Sequence, residues 1–461
     1  MRNAKSRIFA AVVGTLSMGA AAAWAADSQE AQIQQLESKV AALEAKQAAS
    51  SKDMAATIDS MLRDAEKRSQ LLATSGEASA GYDNGFFIKA GDAWVLRPFA
   101  LFQFRNVTDY RSDVTHKGDS TDNGFEIARM RFGLEGTAFS RDLEYSFIWE
   151  SFADDGSLNL SDAWARYMFA DEWGARAGQF RDLTTHEWLT NDGRLLAVDR
   201  SLTDALMGGQ FSGYTQGVTG IYGGQRPNNP LNVEVGYTDG MDQANTSFVG
   251  RPTPREGDAV VPEIGPVGPH TLDWGITGRV EYKVMGNWLD YADFTAKGDR
   301  EDLLVVGAGG DWSQGGDGDI FLGTIDAQYE NTGGLGVYAA GLYRRLDSEV
   351  VGTGDSGDDW GGLIQAGYML SPNWEVFGRY DITYLDRVAP VGQDEHTFQE
   401  LTIGVNYYLG NDGSARHRAK VTVDLSYLPN GAPAGFETLD VLDMNEAQAE
   451  WLLRAQFQLW I

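Results

Sequence analysis

Residues 272–284 have the sequence LDWGITGRVEYKV, in which apolar and polar side chains take turns. Large apolar residues occupy every second position except Gly278, and charged residues or threonine occupy most positions between them. Successive side chains of a β-strand point to opposite faces, so the pattern predicts a strand with one face in an apolar medium and the other in water. The same alternation recurs at residues 321–330, 374–385, 420–427 and 453–461.

The length and spacing of these segments separate a membrane barrel from a soluble β-sandwich, which also alternates. The segments have about 10–14 residues, whereas soluble strands most often have about 5–6. Strands of this length suit a tilted crossing of a bilayer. Aromatic residues gather near the predicted strand ends, and tight turns such as 370–373 alternate with long polar loops such as 239–271.

We therefore predict an all-β fold, a transmembrane antiparallel β-barrel over residues 91–461. The pattern gives about 16 strands, with 14 or 18 left open, and a barrel of that size encloses an aqueous lumen. The last strand alternates up to Ile461, which follows Trp460.

Composition excludes several other classes of protein. The 461 residues include 37 Lys and Arg against 66 Asp and Glu, a formal net charge of −29, and no cysteine. The acidic excess argues against a nucleic-acid partner. The five histidines are scattered, and no metal-ligand spacing or hydrolase motif occurs. We predict no enzyme activity, no catalytic residue, no metal and no cofactor.

The N-terminus predicts export. Residues 1–25 have the features of a cleaved signal peptide, because Arg2, Lys5 and Arg7 precede an apolar stretch and a small-x-small motif at Ala23–Ala25. The apolar stretch, about 16 residues, is short for a transmembrane helix, which needs roughly 20.

Residues 28–74 contain neither Gly nor Pro and predict a coiled-coil helix. Ile33, Leu36, Val40 and Leu43 repeat at heptad spacing, and the apolar stripe then changes phase. The segment either oligomerises, for which a trimer is suitable, or is a solvent-exposed helix that only separates the signal from the barrel. Residues 75–90 are predicted to be a linker.

Several short motifs resemble the phosphate-selective porin O and P family. They occur in the family's order at residues 129–136 (RMRFGLEG), 162–167 (DAWARY), 177–181 (AGQFR), 199–202 (DRSL) and 216–218 (QGV). The resemblance implies a homotrimeric outer-membrane channel whose third loop, residues 181–212, folds inward to form a constriction. It also implies phosphate or other anions as solutes.

Candidate site residues follow from the resemblance and from the alternation. The resemblance places a mixed set of charges in the constriction: Arg181, Glu187, Arg194, Asp199 and Arg200. Other loop carboxylates stand near them: Asp182, Asp192 and Asp204. The alternation points five arginines of the wall into the lumen: Arg129, Arg131, Arg166, Arg176 and Arg279.

Mixed charge predicts a transverse field that favours small polar or zwitterionic solutes. The alternative for each wall arginine is a pairing with a neighbouring carboxylate, as for Arg279 beside Glu281, that changes selectivity little.

The predicted function is passive diffusion of small hydrophilic solutes and ions through an outer-membrane porin. The alternative is a structural barrel that tethers the membrane to the cell wall or to a partner through its coiled coil. Both place the barrel in the outer membrane of a Gram-negative-type bacterium, in contact with bilayer lipid and lipopolysaccharide, with the coiled coil in the periplasm. The polar inner face favours the porin.

Overall fold

The computed structural model describes residues 78–83, 85–91, 93–114, 118–152, 156–245, 272–298, 301–315, 318–347, 356–386, 395–431, 433 and 449–461. The predicted signal peptide (1–25) and coiled coil (28–74) lie outside the described residues. Among the helices of the described part, none is long and apolar enough to cross a bilayer.

The described residues form eighteen strands. In chain order they are β1 Ala78–Tyr82, β2 Phe86–Ala90, β3 Trp94–Val114, β4 Gly118–Ala138, β5 Ser140–Phe152, β6 Leu158–Met168, β7 Trp173–Arg181, β8 Tyr214–Tyr222, β9 Leu231–Thr238, β10 Trp274–Met285, β11 Leu303–Gly315, β12 Gly318–Glu330, β13 Leu335–Leu346, β14 Gly357–Met369, β15 Trp374–Tyr384, β16 Thr397–Tyr408, β17 Ala419–Leu428 and β18 Ala449–Trp460. Short helices are α1 His186–Leu189, α2 Leu202–Met207 and α3 Gly209–Ser212, and single 3-10 turns are Asp192–Arg194, Asp290–Ala292, Asn411–Gly413 and Arg416–Arg418.

Strands β3 to β18 form a closed barrel of sixteen antiparallel strands, which confirms the predicted architecture and strand number. Each strand pairs with the next in sequence, and β18 pairs with β3 from Ala449↔Ser112 to Trp460↔Leu101. Closure matters physically because a sheet edge inside hydrocarbon would leave backbone N–H and C=O groups without partners.

The two faces of the wall differ as the alternation predicts. In β15, Glu375, Arg379 and Asp381 are buried inside, whereas Trp374 and Tyr380 are exposed on the outer face. Aromatic pairs lie at strand ends, such as Trp374 against Tyr407, with ring centroids 4.7 Å apart. Such pairs are typical of the interfacial girdles of membrane barrels.

One residue of the deciding stretch departs from the predicted face. Leu272 precedes β10, which begins at Trp274, and is buried against Phe211 and Met241. The alternation therefore starts two residues later than the sequence pattern indicates, because Leu272 belongs to the connection before the strand and packs inside the barrel.

The two ends of the barrel are distinguished by their connections. We call the end that carries Ile461 the proximal rim; its connections include the tight turns 331–334 and 370–373. We call the opposite end the distal rim; the strands that residues 239–273, 347–356, 385–396 and 429–448 connect have their ends there.

The predicted linker over residues 75–90 is wrong for its described part, which is a β-hairpin. Strand β1 pairs with β2 from Ala78↔Ala90 to Tyr82↔Phe86, and β2 continues onto β3 through Ile88↔Leu96. The turn contains Gly85 at a φ of 138°, a conformation that favours glycine. The strands have five residues each, too few for the alternation to stand out from a Gly- and Ser-containing segment.

Candidate functional site

Residues 182–213, between β7 and β8, are called the inward loop here. It leaves the wall after Arg181 and returns at Tyr214, and it contains α1, α2 and α3. Thr185 and Ser201 cap α1 and α2, since their side-chain oxygens accept hydrogen bonds from Trp188 N and Asp204 N. Two short capped helices give the loop a fixed shape of its own.

The inward loop is anchored to the inner side of the wall by hydrogen bonds at many points. Val198 N donates to Asp424 on β17 (2.9 Å), and Leu202 N donates to Glu400 on β16 (3.1 Å). Wall side chains in turn donate to loop carbonyls: Arg344 to Leu206 O (2.8 Å), Lys420 to Leu195 O (2.6 Å) and Gln458 to Gly193 O (2.8 Å). The loop therefore lies inside the barrel, against β13 to β18.

Apolar packing reinforces the same attachment. Leu202, Ala205 and Leu206 of the loop pack with inward-facing residues of the distal half of the wall: Leu385, Phe398, Leu428 and Leu452. Leu195, Leu196 and Ala197 pack with a second group, closer to the proximal rim: Phe294, Tyr338, Leu363 and Phe377. Each buried leucine contributes roughly 1.5–3 kcal/mol to this attachment.

Asp192 is the centre of an arginine cluster. Its Oδ2 accepts hydrogen bonds from Arg131 and from Arg181 (2.5 Å), and its Oδ1 accepts one from Arg200. Arg129 lies 3.8 Å from Oδ1. Burial alone would raise the pKa of Asp192, but the surrounding arginines hold it well below its ordinary value. One loop carboxylate thus joins the loop arginine Arg200 to three wall arginines, Arg129 and Arg131 on β4 and Arg181 at the end of β7.

Arg181 and Arg200 serve this cluster rather than a solvent-filled passage. Both are buried, and each donates a hydrogen bond to Thr190 O, at 3.0 and 2.7 Å. Their guanidinium groups lie 4.6 and 4.8 Å from the Trp188 ring, within cation–π distance.

Asp199, which is half-buried, and Glu187, which is buried, also hold the loop in place. Asp199 accepts from Arg105 on β3 (2.8 Å) and Arg454 on β18 (3.1 Å). Glu187 accepts from Ser201 N (2.9 Å) and Ser201 Oγ (2.7 Å). Asp199 therefore ties the loop to the wall, and Glu187 joins α1 to the start of α2 within the loop.

Arg194 differs from the other four predicted constriction residues. It is half-buried and forms no ion pair with any described residue; Nη1 donates weakly to Ala292 O at 3.4 Å. Its guanidinium lies 5.6 Å from the centroid of the Trp460 ring. It lines a cavity beside the loop.

That cavity has a volume of about 410 Å³ and lies between the inward loop and the wall formed by β3, β4 and β6 to β10, with Trp460 of β18 at its edge. The loop contributes apolar, polar and cationic groups: Leu183, His186, Leu189, Thr190, Asn191 and Arg194. The wall contributes charges of both signs: Glu135, Arg166, Arg176, Glu234, Arg279 and Glu281.

The wall arginines of this cavity are paired with carboxylates. Arg166 pairs with Glu144, and Arg176 pairs with Glu234 at 2.7 Å. Arg279 binds Glu281 at 2.7 Å and also Asp326 at 2.8 Å. The pairing expected as the alternative for Arg279 is therefore present, and the cavity wall has little net charge.

A second inward segment, residues 286–298 between β10 and β11, rises from the proximal rim and was not predicted. Its Trp288, Tyr291 and Phe294 are buried. The Tyr291 ring stacks on His186 of the inward loop, with centroids 3.9 Å apart, and His186 Nε2 hydrogen-bonds Gln328 at 2.8 Å. Aromatic residues at intervals of three in this connection are the sequence signal that could have indicated it.

No group of three or more acidic or histidine side chains in the described part of the chain is arranged to hold a metal ion. The clustered carboxylates around the loop instead form ion pairs with arginines and accept hydrogen bonds from hydroxyl and backbone N–H groups.

The chain resembles several solved structures. The solved high-pH structure of Pseudomonas putida OprB aligns with 79% of this chain and 94% of its own, at 8% identity and a TM-score of 0.51, which shows a shared fold. An anion-selective porin from Comamonas acidovorans aligns with 79% of this chain and 99% of its own, at 13% identity and a TM-score of 0.49. The channel DcaP of Acinetobacter baumannii aligns with 81% and 99%, at 13% identity and a TM-score of 0.45.

At the level of sequence, none of the curated proteins compared with the chain matches it. The model of the family described as "Phosphate-selective porin O and P" matches residues 102–253, a region that runs from β3 through the inward loop into the connection after β9. The match covers about a third of the chain, and the motifs at residues 129–136, 162–167, 177–181, 199–202 and 216–218 all lie within it.

Proposed function

We propose that this protein is an outer-membrane porin through which small hydrophilic solutes and ions diffuse passively. The observation that carries the proposal is the closed barrel with an apolar outer face and a charged inner face, beside whose inward loop a polar cavity remains open. Selection in such a pore depends on its narrowest width and on the charges that line it.

The passage runs between the inward loop and the wall from β4 to β10. This proposal is supported by the distribution of anchors, because the loop is bound most heavily to β13–β18 while most of the wall residues that line the cavity belong to β4 and β6 to β10. The inward loop acts as the constriction, with Arg194, rather than Arg181 or Arg200, as the loop cation that solutes meet.

The solutes are small polar molecules, zwitterions and ions. Paired arginines and carboxylates on the wall create local fields of both signs but little net charge, so they do not favour one sign of ion strongly. Phosphate or other anions remain the solutes implied by the family, and Arg194 is the cavity residue whose charge favours them.

The assembly is a homotrimer in the outer membrane, surrounded by bilayer lipid and lipopolysaccharide. Residues 1–25 direct export, and residues 28–74 form a periplasmic coiled coil that contributes to oligomerisation. These parts of the proposal are supported by sequence patterns alone.

Liposome swelling tests the porin proposal directly. The purified full-length protein is reconstituted and challenged with sugars, amino acids and phosphate, while single-channel recordings with an ion-substitution series measure conductance and selectivity. We expect swelling with small sugars and amino acids. Swelling with none of these solutes, together with no conductance, would contradict the porin and favour the tethering barrel.

A further inference from the structure

Two carboxyl groups meet where the inward loop leaves the wall. Asp182 is the first residue of the loop, and Asp311 lies on β11 directly opposite Thr277 of β10. Both are fully buried, with exposed fractions of 0% and 1%. The side chain of Asp182 reaches across to these strands, since its Oδ1 accepts a hydrogen bond from Thr277 Oγ1.

Each carboxyl has one oxygen in an ordinary hydrogen bond and one without a conventional donor. Asp182 Oδ1 also accepts from Leu183 N at 2.8 Å, and Asp311 Oδ1 accepts from Ser313 Oγ at 2.5 Å. The remaining oxygens, Asp182 Oδ2 and Asp311 Oδ2, receive no N–H or hydroxyl donor. Thr277 brings the two carboxyl groups together, because it donates to Asp182 and lies opposite Asp311 on the neighbouring strand.

Among the residues that the structure describes, no Lys or Arg forms an ion pair with Asp182 or Asp311. The nearest charged residue on β10 is Arg279, two positions from Thr277, and it forms ion pairs with Glu281 and Asp326. The neighbouring connection after β9 presents a further acid, Asp242, whose N–H donates to Ser212 O.

The other side chains around the pair are neutral: Thr184, Ser212, Thr277, Ser313, Leu322 and Thr324. Burial raises the pKa of the Asp182 carboxyl to about 6, against the hydrogen bonds that it accepts. Two adjacent buried carboxylates cannot both stay ionised without a large penalty.

We propose that Asp182 and Asp311 share one proton, and that this proton fixes the root of the inward loop to the wall. The proton resides on Asp311, because Asp182 accepts more donors that stabilise a charge: Thr277 Oγ1 and Leu183 N against Ser313 Oγ alone. A metal ion fits less well, since calcium needs about 6–8 oxygen ligands and only two oxygens here lack a donor.

The shared proton makes these two acids positioning residues for the constriction. At neutral pH the pair attracts, and the loop root stays against β10 and β11. In alkaline solution the proton is lost, the two carboxylates repel, and Asp182 moves away from the wall. The effect of this movement on the pore rests on the proposed function, in which the loop is the constriction. The sharing of a proton by Asp182 and Asp311 does not depend on that function.

The test compares wild-type protein with Asp311→Asn, in which the amide N–H₂ can replace the shared proton permanently. Infrared spectra at pH 7 measure the carbonyl band of protonated carboxyl groups, and single-channel recordings from neutral to alkaline pH measure conductance. We expect Asp311→Asn to lose one protonated-carboxyl contribution and to abolish the alkaline change in conductance that wild type shows. Asp358→Asn removes an exposed carboxylate paired with Arg345 and serves as the matched control, with a wild-type spectrum and pH profile.

Several outcomes would overturn the proposal. An infrared band that is unchanged in Asp311→Asn would mean that Asp311 carries no proton at pH 7. An alkaline conductance change that persists in Asp311→Asn would assign that change to another group. If chelation of divalent cations at pH 7 reproduces the alkaline behaviour of wild type, a cation and not a proton joins the pair. Should Asp311→Asn fail to fold, an infrared pH titration of wild type still decides, because the proposal requires a protonated-carboxyl band that disappears on alkalinisation together with the conductance change.

Discussion

Replacing Asp192 by asparagine removes the carboxylate on which four arginines converge, while the size of the side chain stays the same. Arg131 keeps Glu150 at 3.1 Å, but Arg181 and Arg200 are left with backbone carbonyls and no carboxylate partner. Removing one partner of a buried ion pair costs roughly 3–5 kcal/mol. We expect the free energy of local opening of the inward loop to fall by about this amount.

Hydrogen exchange of the folded, detergent-solubilised protein measures that opening. At about 1.4 kcal/mol per factor of ten, amides of residues 186–207 should exchange about two to four orders of magnitude faster in Asp192→Asn. Amides in β15–β17 should keep wild-type rates, because their ladder hydrogen bonds do not involve Asp192. The control is Asp358→Asn, whose exposed pairing with Arg345 is worth at most about 1 kcal/mol. Wild-type exchange in the loop of Asp192→Asn would refute the reasoning.

Three further predictions concern the cavity, a loop acid and the outer face. Arg194→Glu should shift the reversal potential in a salt gradient toward cations, whereas Arg345→Glu on the outside of the barrel should not; equal shifts would remove Arg194 from the passage. Burial raises the pKa of Asp242 to about 7, so its contribution to stability falls as pH rises from about 4 to 7, and Asp242→Asn should raise the thermal midpoint at pH 8 but not at pH 4. Ile325→Arg places a charge on a residue 69% exposed on the outer face and should cost roughly 2–4 kcal/mol in folding into bilayers; a cost near zero would place Ile325 away from lipid.

The wall could be predicted residue by residue because its pattern is local. In β15 and β18, the inside or outside position of each side chain follows from whether its number is odd or even. Lipid outside the wall favours apolar side chains and water inside it favours polar ones. The position of each side chain can therefore be predicted from its own strand, without reference to distant strands. The same reasoning missed the hairpin of β1 and β2, because two strands of five residues carry too little pattern.

The roles of the loop charges could not be predicted in this way. Asp192 was one of several loop acids, and nothing in its spacing separates it from Asp199 or Asp204. Its importance arises because Arg131, 61 positions earlier, lies on the strand that the folded loop reaches. Arg194 likewise differs from Arg181 and Arg200 only in what surrounds it: a cavity instead of a carboxylate.

The amino-acid sequence alone determined that this chain forms a closed wall with an apolar outside and a polar inside. Alternate residues of each strand face lipid and water, so the alternation of apolar and polar residues shows which medium each one faces. The tertiary structure decided which charges remain available to a solute. Asp199 pairs with Arg105 and Arg454, which are 94 and 255 positions away, and such pairings exist only once the barrel has closed around the loop. Charge neutralisation inside the lumen depends on distance in space, and distance along the chain does not reveal it.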